Sequence, residues 1–351
     1  MGVRGCTAVL AAAWLTITAA TACEHPRQMP GFQTCANVEQ ALAEGALVHY
    51  APDPDSEMAA YLGAFRKLFP QIETTYLRLQ TGALYARLIS ERQARSYLPD
   101  TLILTEIGFA LDLQKRGGYA QYVSPEMAAY TPQQKSTPEG YYTWDNEIVA
   151  GIAYNPTLVK PEDAPKSWKD LLDPRWANNI NVKLSTSGLQ HLTWYLLRGL
   201  YGPDYWTRFG ELKPRGFDSY VQQFDRTVSG QDQVISTAQY SGYLVFKAKG
   251  APIAFVRPEE GLVVSPGVIG VLDHAPHPEA ARLFLDWSIG RPGQTTMTQV
   301  VQNYSARQDV PPPPGGDPMS SFKVLVPDDW DAFLKTHAQF VRAWDRMTGI
   351  R

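Results

Sequence analysis

Ser185, Thr186, Ser187 and Gly188 stand together in "KLSTSGLQHL", where a strand-like run ends at Leu184 and a helical run begins. Hydroxyls and free backbone N–H groups at a helix N-terminus can hold an anion. The same residue types also serve as ordinary helix caps. Glu106, in "DTLILTEIGFALDLQKRGG", follows a buried-type strand and precedes a helix. A carboxylate there can coordinate a hard cation, pair with an ammonium group, or simply favour the helix start. Tyr240 and Tyr243, in "STAQYSGYLVFKAKGAPIAF", sit where a strand turns into a helix. Their phenols could ligate a hard cation, stack on a ligand or fill a core. Phosphate-loop, zinc-protease, nucleophile-elbow and dinucleotide-loop patterns are absent from the sequence. The six histidines are scattered without metal-ligand spacing, and His49 beside a strand reads as structural. A secreted hydrolase using Ser185 or Ser187 would need a general base, and His191, one turn along the same helix, is its candidate.

The elements that must position these residues alternate. "ANVEQALAEG" reads as a helix ending at Gly45, followed by the strand "ALVHYA". Asp55 and Ser56 cap an amphipathic helix carrying Met58, Leu62 and Phe65, stopped by Pro70. "ETTYLRL" alternates as a strand, Gly82 opens a further helix, and "DTLILT" is a buried strand. The order repeats through "NEIVAGIAYN", "SWKDLLD", "INVKL", "SGLQHLTWYLLRGLYG", "QVISTAQY", "APIAFV", "GVIGVL" and "PEAARLFLDWSIG". Such alternation predicts an α/β protein with parallel strands and helices on both faces. With 351 residues the chain is long enough for two lobes, with a site in the cleft between them.

A formal net charge of −3 offers no basic surface for nucleic acid. Residues 1–22, with one positive charge, an apolar run and "ATA" before Cys23, read as a secretory signal peptide. Export places Cys23 and Cys35 in an oxidising compartment, where they can form a disulfide. "ATAC" also resembles a lipoprotein box, which would put a lipid anchor on Cys23.

"PTLVKPEDAPKSWKDLLDPRWANNI", "GAPIAFVRPEEG", "PHPEAARLFLDW" and "YSARQDV" together resemble bacterial periplasmic solute-binding proteins of the ferric-iron-binding group. The resemblance covers the chain from about Ala36 onward. It implies the two-lobed type 2 periplasmic-binding-protein fold, with a hinge and a central ligand cleft. The lobes would be discontinuous: 36–149 with 260–296, and 150–259 with 297–351. It also implies no catalysis, a monomer in the periplasm, and a membrane permease of an ABC transporter as partner. Glu106 stands where the group has a glutamate ligand, and Ser185, Thr186, Ser187 and Gly188 match its anion-holding loop. Tyr240 matches the first of its paired tyrosines, but Ser241 occupies the second place. The group's arginine before the crossing strand is absent, and the first strand exits into Pro52, Asp53, Pro54 and Asp55. A ferric site would therefore draw on Glu106 and Tyr240, with Asp53 nearby, carrying Fe3+ as transported ligand rather than cofactor. Relatives of the fold also bind phosphonates, sugar phosphates and thiamine, so a small anionic organic solute is the alternative ligand. Tyr141, Tyr142 and Trp144, before the crossing strand, could stack on such a solute or line the hinge.

Overall fold

The structure, a computed structural model, describes residues 23–350 of the chain. The expected leader and its cleavage lie outside the described residues. Cys23 and Cys35 form a disulfide, closing a loop that carries the hairpin β1 (Arg27–Met29) and β2 (Phe32–Thr34). A sulfur held in that bond is not free for a thioether lipid. Of the two expectations for Cys23, the structure contains the disulfide.

The first lobe follows the alternation read from the sequence. Helix α1 (Val38–Glu44) starts at Asn37, whose side chain accepts the Gln40 N–H at 3.1 Å. It ends at Gly45, which adopts φ +67°, a conformation that only a residue without Cβ takes cheaply. Then come β3 (Ala46–Ala51), α2 (Asp55–Leu68), β4 (Glu73–Arg78), α3 (Thr81–Gln93), β5 (Thr101–Leu104) and α4 (Ile107–Lys115). Strand β3 lies between β4 and β5, parallel to both. Helix α2 buries Met58, Tyr61, Leu62 and Phe65, the one-face spacing of an amphipathic helix. Phe65 sits edge-on to Phe284 with ring centroids 5.1 Å apart. Truncating it to alanine would cost about 3–5 kcal/mol through the cavity left behind.

Strand β6 (Thr143–Tyr154) then crosses into the second lobe. That lobe comprises β7 (Ile180–Lys183), α5 (Gly188–Tyr201), α6 (Tyr205–Glu211), β8 (Arg215–Phe217), α7 (Tyr220–Val228), β9 (Val234–Gln239), α8 (Tyr240–Ala248) and β10 (Ala254–Val256). Strand β11 (Leu262–Val271) returns to the first lobe and leads into α9 (Pro278–Ile289) and α10 (Arg291–Val300). The chain closes with β12 (Tyr304–Ser305), β13 (Val324–Leu325), α11 (Trp330–Leu334) and α12 (His337–Thr348). The continuous strand order β4-β3-β5-β11-β6-β9-β7-β8 makes one twisted sheet from two parallel halves. They are joined through the antiparallel pair β6 and β11, which serves as the hinge, and its register slips at Gly267/Val268.

The second core is built on Trp168, Trp176, Trp194, Trp206 and Trp344, all buried. Trp344 arrives on α12, so the C-terminal helices complete this lobe. The boundary expected at 296/297 falls inside α10. Met297, Val301 and Ala306 pack into the first core, and the crossing comes after them. Arg307, from "YSARQDV", fixes this return by pairing with Glu126 at 2.7 Å and Asp309 at 2.8 Å. No helix among the described residues is long and apolar enough to cross a membrane.

Candidate functional site

Strands of both halves end at the same seam, and the helices that follow begin there. Parallel α/β sheets place ligands at this edge for that reason. From the first lobe, Pro52, Asp53 and Pro54 follow β3, Arg78 ends β4, and Gln80 caps α3. Glu57 projects from the first turn of α2, and Thr105 follows β5. From the second lobe, Lys183 ends β7, Ser187 caps α5, Ser219 and Tyr220 open α7, and Gln239 and Ser241 flank the start of α8. Together with Ile148, Leu189 and Asn303 they enclose a cavity of about 40 Å³, room for a group the size of a few waters.

The lobes are closed on each other. Arg78 pairs with Asp218 at 3.3 Å, the Gly82 N–H donates to the Thr186 carbonyl at 3.1 Å, and the Tyr220 hydroxyl donates to Glu57. At Gly188 a Cβ would lie 2.7 Å from the Thr105 carbonyl, so a side chain there would push the lobes apart.

Charge in the cavity is unbalanced in a way that calls for a ligand. Lys183 is 3% exposed and has no hydrogen-bond or ion-pair partner among the described residues. Burial lowers its ammonium to about 8. On the other wall, burial raises Asp53 to about 6 and Glu57 to about 8. Asp53 Oδ2, Glu57 Oε2 and Gln239 Oε1 are buried acceptors without a donor among the described residues. The two acids bind protons more tightly folded than unfolded, so they erode stability as pH rises from about 4 to about 8. Lys183 binds its proton less tightly folded, so its cost is greatest below about 8 and fades as pH rises towards its unfolded value. An anion beside Lys183, carried by a molecule with hydrogen-bond donors for the acids, would relieve both.

Of the residues singled out in the sequence, Asp53 and Ser187 line the cavity. Ser187 also caps α5, its hydroxyl accepting the Gln190 N–H at 3.4 Å. Ser185, Thr186 and Gly188 form the surrounding turn, which supports the lobe contact without lining the cavity. Trp144 packs between two hydrophobic clusters of the first lobe, beside the equally packed Tyr141 and Tyr142. Tyr240 does not reach the cavity. Its ring lies against Phe255, Tyr304 and Phe322, and its hydroxyl donates to Asp317 at 3.0 Å. The first residue of α8 turns away from the cleft, while Gln239 and Ser241 on either side face it. Tyr243 joins the same packing.

Glu106 is buried away from the cavity lining, with Oε1 3.0 Å from His191 Nδ1 and 2.8 Å from His337 Nδ1. Burial pushes its carboxyl up, but the two imidazoles outweigh burial and hold it below the ordinary value. The pair expected for ferric ion, Glu106 and Tyr240, is thus committed to separate surroundings. The hydrolase arrangement does not form either, because His191 meets Glu106 on one side and Thr336 on the other. Lys183, Arg78 and Glu57 escaped the sequence reading. The available signal was a lysine ending "INVK" immediately before a serine-rich turn.

Comparisons with known proteins agree with this architecture. Over 289 residues the chain is 22% identical to an uncharacterised protein of Haemophilus influenzae, covering 76% of this chain and 81% of that one. The periplasmic binding protein AfuA from Actinobacillus pleuropneumoniae, with exogenous fructose 6-phosphate bound, superposes with a TM-score of 0.78 at 20% identity, over 87% of this chain and 99% of that one. Iron-bound HitA from Pseudomonas aeruginosa gives 0.72 at 21% identity, over 86% and 99%. These likenesses establish the two-lobed fold. Residues 97–335 match the family described as bacterial extracellular solute-binding protein, and the chain belongs to that family.

Proposed function

We propose that the protein captures a small organic solute bearing a phosphate-like anion and several hydroxyl groups, and presents it to the membrane permease of an ABC importer. The observation that carries this reading is Lys183, a buried ammonium facing the cavity with no direct hydrogen-bond or ion-pair partner among the described residues, opposite the unpartnered acceptors of Asp53 and Glu57. Its charge is favoured by nearby Asp218 but opposed by Arg78. The helices α5, α7 and α8 begin at the cavity, and their N-termini add positive potential on the lysine's side. Hydroxyls of a sugar phosphate would donate to the two acids. A structural relative holding fructose 6-phosphate is compatible with this chemistry. The cavity closed as here has room for only a few waters, so a sugar phosphate would be held with the lobes further apart, still touched by residues of both. It favours that closing because neither lobe alone supplies all the contacts.

Ferric ion with a synergistic anion is the second reading, favoured by Asp53 and Glu57 from the first lobe and Tyr220 from the second, oxygen donors lining one cavity. An iron-bound relative shares the fold. A thermal-shift panel separates the readings. Fructose 6-phosphate and glucose 6-phosphate should each raise the melting temperature, while the free sugars and inorganic phosphate do so much less. A ligand at 100 times its dissociation constant adds about 2.7 kcal/mol. Stabilisation by ferric citrate alone would move the assignment to iron.

A further inference from the structure

Behind the cavity wall, Glu106 from the first lobe meets His191 on α5 and His337 at the start of α12, with one ligand atom from each lying within 4.8 Å of the others. The hydrogen bonds around His191 determine what Nδ1 can do. The Thr336 hydroxyl donates to the Phe333 carbonyl at 2.6 Å. At 3.0 Å from His191 Nε2 it must therefore act as acceptor, which places the histidine's proton on Nε2. In the neutral ring Nδ1 is then a lone pair, 3.0 Å from a carboxylate oxygen. Two acceptors at that distance need a proton or a metal ion between or beside them. His337 Nδ1 approaches the same oxygen at 2.8 Å. Neither Nδ1 makes a directed hydrogen bond with the carboxylate.

We propose that Glu106, His191 and His337 bind a divalent first-row transition-metal ion of zinc-like preference. Two imidazole nitrogens and one carboxylate suit such an ion, and His337, 27% exposed, leaves a side open for water as a further ligand. Thr336 orients His191 from behind, and Phe333 and Phe340 hold its ring between them at 4.4 and 4.9 Å. The ion joins the lobes at the point where Thr105 and Ser187 reach the solute cavity, so its occupancy favours the closed form. Solute and metal then strengthen each other's binding by the same factor.

The test uses tag-free mature protein stripped with chelator and free of solute, so its outcome does not depend on which solute the cleft takes. Titration with Co2+ should give a visible ligand-field band saturating at one ion per chain, and Zn2+ should displace it. His337→Gln, at a partly exposed position, should weaken Zn2+ binding at least tenfold and reduce the band while the melting temperature without metal is retained. Glu106→Gln provides an independent second variant with the same expectation for metal. The proposal is overturned if the wild-type protein binds no Co2+ or Zn2+, or if both variants bind them as the wild type does. Either result would leave the cluster as a carboxylate–imidazolium contact.

Discussion

Gln239 and Ser241 face the solute cavity, whereas Tyr240 between them enters an aromatic cluster with Phe255, Tyr304 and Phe322. The two environments share one strand-to-helix junction and differ in everything else. The cavity holds a buried ammonium, two carboxyls with raised proton affinity and unpartnered acceptors. The aromatic cluster is closed, with the Tyr240 phenol donating to the Asp317 carboxylate and the Tyr304 phenol to the Asp317 carbonyl. Unmet polar capacity marks the binding region, and satisfied polar capacity marks the packing region. Residue type alone does not separate them, because successive residues at a helix start point in directions roughly 100° apart.

Substitutions at the two regions should diverge most at Lys183. Lys183→Met should reduce affinity for a sugar phosphate by about 2–5 kcal/mol by calorimetry, since a buried charge pair is lost. The ligand-free protein should be no less stable, because a desolvated ammonium is removed.

That residue also marks the limit of what the sequence made legible. Strand and helix order and the Ser187 cap follow from periodicity, turn residues and capping chemistry, all of which are local, whereas the hinge is implied only by the family resemblance. Asp53 was legible because a strand visibly exits into it. Lys183 reads as one more strand residue, and its isolation appears only when α5, α7 and β4 close around it. Glu57 reads as a favourable acid in the first turn of α2 until Tyr220 arrives from the other lobe. Glu106, His191 and His337 are far apart in the chain, so their meeting is a product of the fold. Tyr240 had the right strand end and the wrong direction.

Ser187 belongs to both descriptions, as cap and cavity wall. Ser187→Ala should lower folding stability by about 0.5–2 kcal/mol in denaturant unfolding. It should also weaken solute binding by about 0.5–1.5 kcal/mol. A change in stability alone would reduce it to a cap. Tyr240→Phe should leave solute affinity unaltered and cost about 0.5–1.5 kcal/mol of stability through the bond to Asp317. A loss of affinity there would erase the contrast between the regions. Asp218→Asn, which opens the half-exposed pair with Arg78 across the cleft, should weaken solute binding by only about 0–1 kcal/mol, less at high salt.

The pH dependence of solute affinity bears most directly on the claim that a lysine ammonium recognises an anion. Bound anion favours charged Lys183, whose free value is about 8, so the lysine's contribution to affinity is fully present below that pH and lost above it. Calorimetry with fructose 6-phosphate should give an affinity that climbs towards pH 8 as Glu57, raised to about 8, ionises to accept the solute's hydroxyls, then a fall above it approaching about tenfold per pH unit. Lys183→Met should abolish that fall. Wild-type affinity that stays level through pH 9.5, or a slope that survives in the variant, would contradict the account.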